Sequence, residues 1–156
     1  MHPHAELITK LYTCLDKQDH EGMASCYHPD ATFRDLGFDL SGRKEIHAMW
    51  HLIADKAKLR ASFTVLHADG ETGAADLIDD YTFPDAGNPV RNEIRSEFRF
   101  KDGLIIEHRD SCNTWKWARQ ALGFVKGLLA CLLPWVRRKQ TMAKLRAFIA
   151  DHPEYA

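Results

Sequence analysis

The chain lacks the sequence features by which several classes of protein are recognised. A membrane-spanning helix needs about 20 consecutive apolar residues, but the longest apolar stretch, residues 123–136, is interrupted by Lys126 and Pro134. There is no glycine-rich phosphate loop and no dinucleotide-binding fingerprint. These absences predict a protein without stable membrane insertion and without a bound cofactor.

Paired cysteines and an excess of charge are missing as well. Cys14, Cys26, Cys112 and Cys131 are widely spaced and form no CxxC pair, which argues against zinc-knuckle and redox motifs and favours free thiols in a reducing compartment. The net charge is −1, so no global attraction to nucleic acid is expected. Residues 1–6 do not resemble a secretory signal. We therefore predict a cytoplasmic protein that does not bind nucleic acid.

The patterns that are present indicate one α+β domain. Apolar residues recur at helical spacing over residues 3–17, in a short segment after Asp19 and in a third segment after Ser41. Strand-like runs follow at 61–68, 72–83, 90–101 and 104–112, after an earlier short run at 31–35. Helices followed by successive strands predict helices packed against one curved, mainly antiparallel sheet. We assign residues 1–114 to this domain and 115–156 to a helical extension packed on it, broken at Pro134 and resuming at 141–150.

Residues 90–112 predict a β-hairpin with one buried face. Apolar or small polar side chains alternate with charged ones from Val90 to Lys101, and Asp102-Gly103 supplies the turn. We take Leu104 and Ile106 as the residues that fix the buried face of the second strand. Because strand side chains repeat every two residues, the side chains that then point inward are Asn92, Ser96, Phe98, His108, Asp110 and Cys112.

Inward-facing polar groups are the candidate site. Alternation also points Asp79 inward, on the face that it shares with Leu77 and Tyr81. An inward histidine and carboxylate suit general acid–base catalysis, because the carboxylate orients the imidazole. The alternative is an internal hydrogen-bond network that satisfies only itself.

Two other features allow more than one interpretation. His47 and His51 are spaced i, i+4, which suits a metal, but we favour surface histidines and predict no metal site. Residues 123–139 are apolar and then basic. This segment could lie on a membrane surface, cover the mouth of the folded domain or pack on a partner subunit. A helix that is hydrophobic nearly all round is usually buried, so we favour a packed position over a membrane-bound one.

Three segments resemble the SnoaL-like proteins of the nuclear transport factor 2-like superfamily, whose relatives include ketosteroid isomerase and limonene epoxide hydrolase. They are YHPDATFRD at residues 27–35, SGRKEI at 41–46 and FRFKDGLIIEHRD at 98–110. The order of elements matches from about residue 5 to 114. The resemblance implies a cone-shaped α+β barrel around a deep pocket, often in a homodimer. Activity does not follow from such a fold, which hosts isomerases, cyclases, hydrolases and non-catalytic binders.

The resemblance also implies roles for particular residues. Asp35 falls at the position of the proton-shuttling base of ketosteroid isomerase. The oxyanion-hole tyrosine of that enzyme falls on Leu11, so we expect the neighbouring Tyr12 to face elsewhere, because one helical residue rotates a side chain by about 100°. Its aspartate partner falls on Ser96. Steroid isomerisation in that form is therefore not expected.

We accordingly predict a protein that binds a small, mostly apolar organic molecule and catalyses an isomerase, cyclase or epoxide-hydrolase type of proton transfer. The predicted catalytic residues are Asp35, His108 and Asp110. The predicted ligand-binding residues are Trp50, Phe63, Asp79, Tyr81, Asn92, Ser96, Phe98 and Cys112. The alternative is a non-catalytic binding or assembly module with the same fold.

Overall fold

The computed structural model describes all residues, 1–156. The helices are α1 (Pro3–Asp16), α2 (His20–Ala24), α3 (Arg43–Lys56), α4 (Thr114–Leu122), α5 (Phe124–Leu132) and α6 (Pro134–Asp151), followed by a 3₁₀ turn at Pro153–Tyr155. The strands are β1 (Tyr27–Arg34), β2 (Asp39–Ser41), β3 (Arg60–Ala68), β4 (Thr72–Thr82), β5 (Pro89–Lys101) and β6 (Leu104–Cys112). This arrangement confirms the predicted α+β class.

The six strands form one sheet in the order β2-β1-β6-β5-β4-β3. Every neighbouring pair is antiparallel except β1 and β6, which are parallel. The parallel pair matters for function because Phe33 of β1 lies opposite His108 of β6. Continuing that register brings Asp35, just beyond the end of β1, beside Asp110.

The hairpin of β5 and β6 forms as predicted, but its second strand contains an irregularity that the alternation did not reveal. Lys101 pairs with Leu104 across Asp102-Gly103, and both turn residues have positive φ, as a type I′ turn requires. The pairing then shifts, so that Phe100 lies opposite Ile105 whereas Phe98 lies opposite His108. Ile105 is consequently the fully buried residue, and the prediction that Leu104 and Ile106 fix the buried face is wrong. One extra residue at a β-bulge reverses the alternation, and His108 still points inward.

The core lies between the sheet and the helices. α1 contributes Ile8, Leu11, Tyr12 and Leu15, and α3 contributes Ile46, Met49 and Trp50. The end of the chain joins the same cluster through Leu145, Phe148 and Tyr155. The last helix is therefore part of the main core.

The helical tail differs from its prediction in two respects. The predicted break is present between α5 and α6, but α6 begins at Pro134 itself and not at residue 141, because proline fits the first helical turn, where its missing N–H is not needed. α5 packs on α4 along one face only: Gly127 is buried against Ala118, whereas Phe124, Val125, Leu132 and the adjoining Trp135 each expose about two thirds of their surface. The expected burial of this apolar segment is therefore only partial. No helix combines the length and the apolar character needed to cross a membrane.

Candidate functional site

A cavity of about 670 Å³ opens between the sheet, α3 and the helical tail. More than half of its lining residues are apolar, and aromatic side chains are prominent among them. They come from β1, α3, β4, α4 and α6, and they include Phe33, Trp50, Tyr81, Trp117 and Phe148. The size and the apolar lining are those of a site for a small organic molecule. The tail contributes to its wall.

Six aspartates are among the lining residues, and three of them lie on or beside the sheet, among its apolar side chains: Asp35, Asp79 and Asp110. Asp79 lies opposite Asn92 in the pairing of β4 with β5, and Asn92 also lines the cavity. Strand alternation thus places both side chains on the same face of the sheet. Asp35 and Asp110 additionally line a shallower, more polar groove of about 320 Å³, together with Cys112 and Arg137. These two carboxylates can therefore be reached from the groove as well as from the apolar cavity.

Asp35 sits in a turn just after β1. Its Oδ1 atom accepts hydrogen bonds from the backbone N–H groups of Gly37 at 2.8 Å and Phe38 at 2.6 Å. These bonds favour the ionised form, but burial of the carboxyl group outweighs them and raises the pKa of Asp35 to about 6. A carboxylate with such a pKa can both accept and release a proton near neutral pH.

Asp110 is held by a continuous hydrogen-bond network. Its Oδ1 atom accepts from Ser96 Oγ at 2.5 Å and contacts His108 Nε2 at 2.7 Å. Tyr27 Oη lies 2.8 Å from His108 Nδ1 and accepts from Trp50 Nε1 at 3.3 Å. If Tyr27 donates to Nδ1, then Nε2 carries the proton and donates to Asp110, so one imidazole tautomer satisfies every contact.

Tyr12 completes this network, contrary to the expectation that it faces elsewhere. Its hydroxyl donates to Ser96 Oγ at 2.5 Å and lies 3.5 Å from His108 Nε2. Both Leu11 and Tyr12 are fully buried, so α1 presents more than one line of side chains to the core. The expectation that Tyr12 faces away from the site is therefore wrong. The sequence signal that could have found it is a tyrosine within an otherwise apolar helical stripe.

His108 contacts Asp110 from within the core. The residue has no exposed surface, is surrounded by Phe33, Phe98 and Tyr27, and does not line the cavity. Both of its ring nitrogens have partners within the protein, and one of these partners is Asp110. The carboxylate is the group that reaches the cavity.

Asp79 is the least satisfied polar group in the structure. The residue is 8% exposed, and its Oδ1 atom has no hydrogen-bond partner. Burial, together with the neighbouring Asp110, Asp80 and Asp35, raises its pKa well above the ordinary carboxyl value. An orphaned buried polar atom that lines a cavity is a natural contact for a ligand.

Replacing Asp79 by asparagine should stabilise the protein, and more so at higher pH. Because the folded-state pKa is raised, ionisation of Asp79 destabilises the fold progressively as the pH rises above about 4. Asparagine has a similar shape and no charge, so we expect a clear gain in the free energy of unfolding at pH 8 and little gain at pH 4. Urea unfolding at both pH values measures this difference. Asp30→Asn, at an exposed position of β1, is the control, and an equal pH dependence in the two variants would contradict the assignment.

Only some of the remaining predicted ligand-binding residues reach the cavity. Trp50, Tyr81 and Asn92 line the cavity. Phe63 and Phe98 do not, and instead pack around Tyr12 in the core. Ser96 is fully buried within the hydrogen-bond network, and Cys112 lines the shallow groove. Phe63 and Phe98 thus shape the core instead of the cavity wall, because alternation fixes the face of a side chain but not its depth in the cone.

Sequence analysis missed the contribution of the tail. Trp117 of α4 donates its Nε1–H to Tyr81 Oη at 2.8 Å, and Thr141, Lys144 and Phe148 of α6 line the cavity.

His47 and His51 are also not simple surface residues, since both are partly buried in a cluster with His20 and Tyr155.

Comparison with known proteins identifies the family. The SnoaL-like domain family matches residues 8–108, which is more than half of the chain, and this protein belongs to that family. No curated protein matches significantly.

Solved structures share the fold at low sequence identity. A candidate polyketide cyclase from a Silicibacter species aligns with a TM-score of 0.68 at 18% identity, covering 75% of this chain and 93% of its own. An LEH-like epoxide hydrolase from M. tuberculosis aligns with a TM-score of 0.60 at 17% identity, covering 83% and 94%. A protein of ketosteroid isomerase-like fold from Catenulispora acidiphila, in complex with trimethylamine, aligns with a TM-score of 0.66 at 14% identity, covering 74% and 92%. At these identities the likeness establishes the fold alone.

Proposed function

We propose that the cavity binds a small, mostly apolar organic molecule and that Asp35 and Asp110 transfer protons to and from it. The observation that carries this proposal is the position of the two carboxylates on the wall of an apolar cavity of about 670 Å³. Three related structures support the general class, since one is described as a cyclase and one as an epoxide hydrolase, and one contains a small organic ligand.

Asp35 is the group best suited to be the general base. Its backbone hydrogen bonds hold the carboxylate in place, and its pKa of about 6 leaves it mostly ionised at neutral pH yet basic enough to take a proton. Such matching of pKa to the working pH is what efficient proton transfer requires. The proton would come from an acidic C–H group of the ligand or from a water molecule that attacks an epoxide.

Asp110 then acts as the second carboxyl group, with His108 as its positioning residue. The contacts from Ser96 and His108 converge on Oδ1, which leaves Oδ2 free to face a ligand. A rigid supporting network keeps such a group within the narrow geometry that catalysis needs. Asp79 and Asn92, on the neighbouring strands of the same sheet, would contact polar atoms of the ligand.

A non-catalytic binder of the same fold is the second candidate. The observation in its favour is that the Tyr12–Ser96–Asp110–His108–Tyr27 network is satisfied internally, as a purely structural network would be. The two candidates agree on ligand binding and differ on turnover.

A thermal-shift screen of the purified protein against ketones, epoxides, aromatic polyketide-like compounds and lipids tests ligand binding. A ligand that binds only the folded state raises the melting temperature in proportion to the logarithm of its concentration over Kd. We expect hits among compounds with an apolar body and one or two polar groups. If no compound raises the melting temperature of the well-folded protein, the proposal fails. Turnover of a hit compound, followed by chromatography, then separates the enzyme from the binder.

A further inference from the structure

Four of the nine histidines gather where α3 meets the end of α6. His20 Nδ1 lies 2.9 Å from His47 Nε2, the rings of His20 and His51 stack at 3.9 Å, and the ring of His152 lies 5.0 Å from that of His51. Neither the core nor the proton-transfer network uses this cluster.

Within the cluster, three potential metal ligands converge. The closest ligand atoms of His51, Asp55 and His152 all lie within 4.8 Å of one another. His51 and Asp55 are one helical turn apart on α3, so both side chains leave the same face. His152 approaches from the end of α6. Asp55 is exposed, so its side chain can move toward a bound ion.

The hydrogen bonds of the two histidines leave the converging nitrogens available. His51 Nδ1 is bonded to Tyr155 Oη at 2.8 Å, and His152 Nδ1 is bonded to the carbonyl oxygen of Phe148 at 2.8 Å. Neither Nε2 atom makes a hydrogen bond, and His51 Nε2 lies 3.6 Å from the Asp55 carboxylate. In metal sites one ring nitrogen binds the ion and the other is held by an oxygen of the protein.

We propose that His51 Nε2, His152 Nε2 and the Asp55 carboxylate bind a divalent transition-metal ion such as Zn²⁺. Two imidazoles and one carboxylate are a common zinc ligand set, with bond lengths of about 2.0–2.2 Å and a further position open to water or ligand. Asp55 and His152 also line the large cavity. The metal site would therefore border this cavity.

Titration of chelator-treated protein with Co²⁺ and Zn²⁺ tests this site. We expect one equivalent of Co²⁺ to produce a visible absorption band that Zn²⁺ abolishes. His152→Gln and Asp55→Ala each remove a proposed ligand and should weaken metal binding at least about tenfold. Tyr155→Phe removes only the hydroxyl group that is bonded to His51 Nδ1, and it should also weaken metal binding by about tenfold or more. His67→Gln on exposed β3 is the matched control.

Unchanged affinity in the His152 and Asp55 variants would overturn the proposal, as would the absence of stoichiometric binding. Circular dichroism and melting temperature of the metal-free variants establish that each one is folded. The measurement does not involve turnover, so its result is independent of the proposed proton-transfer function.

A second inference rests on a different observation, the surface of α5. The chain has nine exposed large apolar residues, and seven of them lie within 12 positions: Phe124, Val125, Leu128, Leu129, Leu132, Leu133 and Trp135. Soluble monomers rarely expose so many large apolar side chains together, and such a patch marks an interaction surface.

The charge around this patch indicates its partner. Residues 111–150 contain eight lysines and arginines and no aspartate or glutamate, although the net charge of the whole chain is −1. Three of the eight form ion pairs with carboxylates outside this region, which leaves five without such a partner. Two copies of such a region would repel each other if they met through this face. An anionic lipid surface attracts it, because basic residues near such a surface each contribute about 1 kcal/mol.

We infer that α5 and Trp135, which we call the apolar ledge (residues 124–135), bind the surface of an anionic membrane. An amphipathic segment can insert its apolar side chains to about the depth of the headgroups while its charges remain in water. Tryptophan is favoured at this interface. The helices on either side of the ledge, α4 and α6, both contribute to the cavity wall, so the cavity would open close to the lipid.

Co-sedimentation of the full chain with lipid vesicles tests the ledge. We expect binding to phosphatidylcholine vesicles that contain about a quarter phosphatidylserine, weaker binding to phosphatidylcholine alone, and release at high salt. Leu132→Asp should abolish the binding. Leu66→Asp, at an exposed leucine on β3, is the matched control and should retain it.

No binding to the anionic vesicles would overturn the inference, and so would equal losses in the two leucine variants. Light scattering tests the alternative occupant of the ledge, which is a second copy of the chain. A dimer that Leu132→Asp dissociates, without vesicle binding by the unmodified protein, would assign the ledge to a second copy of the chain.

Discussion

Replacing Asp35 by asparagine should lower turnover of the ligand found by thermal shift by about 10²–10⁴-fold, the usual contribution of a positioned acid or base. Asparagine keeps the size of the side chain and the oxygen that accepts from Gly37 and Phe38, so the fold and the ligand affinity should change little. The loss should appear in kcat. Steady-state kinetics combined with direct binding measurements separates the two parameters.

The pH dependence of the same reaction carries a second signature of Asp35. A base must be deprotonated to act, so kcat/KM should fall as the pH drops below about 6, where the raised pKa of this carboxyl group lies. Asp35→Asn should remove that limb of the profile. Asp80→Asn, on the exposed face, should leave both rate and profile unchanged. If Asp35→Asn and Asp110→Asn both kept full turnover, proton transfer by these carboxylates would be excluded.

Leu145→Ala should cost about 2–5 kcal/mol of stability, the range for emptying a fully buried leucine site. Leu145 lies in α6 yet has no exposed surface and belongs to the main core cluster. The loss should therefore lower the single unfolding transition of the whole domain. Chemical denaturation followed by fluorescence and by circular dichroism measures this effect.

The matched control is Leu128→Ala, the same substitution at a leucine of α5 that is 43% exposed. Changes at such surface positions usually stay within about 0.5 kcal/mol. Equal losses for the two variants, or a tail that unfolds separately in Leu145→Ala, would show that the tail is not an integral part of the core.

The strands and their inward-facing polar residues could be predicted from sequence because strand periodicity is simple. Alternation placed Asp79, Asn92, Ser96 and His108 on the inner face, and all four are buried. It failed locally at Leu104–Ile106, where a bulge reverses the phase, because a bulge depends on the pairing of two strands and leaves no clear local pattern.

The site itself was less predictable, since it depends on contacts between residues that are distant in the chain. Tyr12 reaches Ser96 from 84 positions away, and His152 approaches His51 only because α6 returns to the core. For the apolar ledge, by contrast, the prediction rested on local composition alone. Its hydrophobicity predicted burial, but composition cannot state whether an apolar helix finds a partner within its own chain.

Calorimetric titration of a thermal-shift hit into two tryptophan variants tests most directly whether the cavity is the ligand site. Ile94→Trp introduces a bulky ring into the cavity wall, whereas Ile78→Trp places the same ring on β4 away from the cavity. We expect Ile94→Trp to abolish binding and Ile78→Trp to bind like the unmodified protein. Undiminished binding by a folded Ile94→Trp variant would contradict the assignment of the cavity as the functional site.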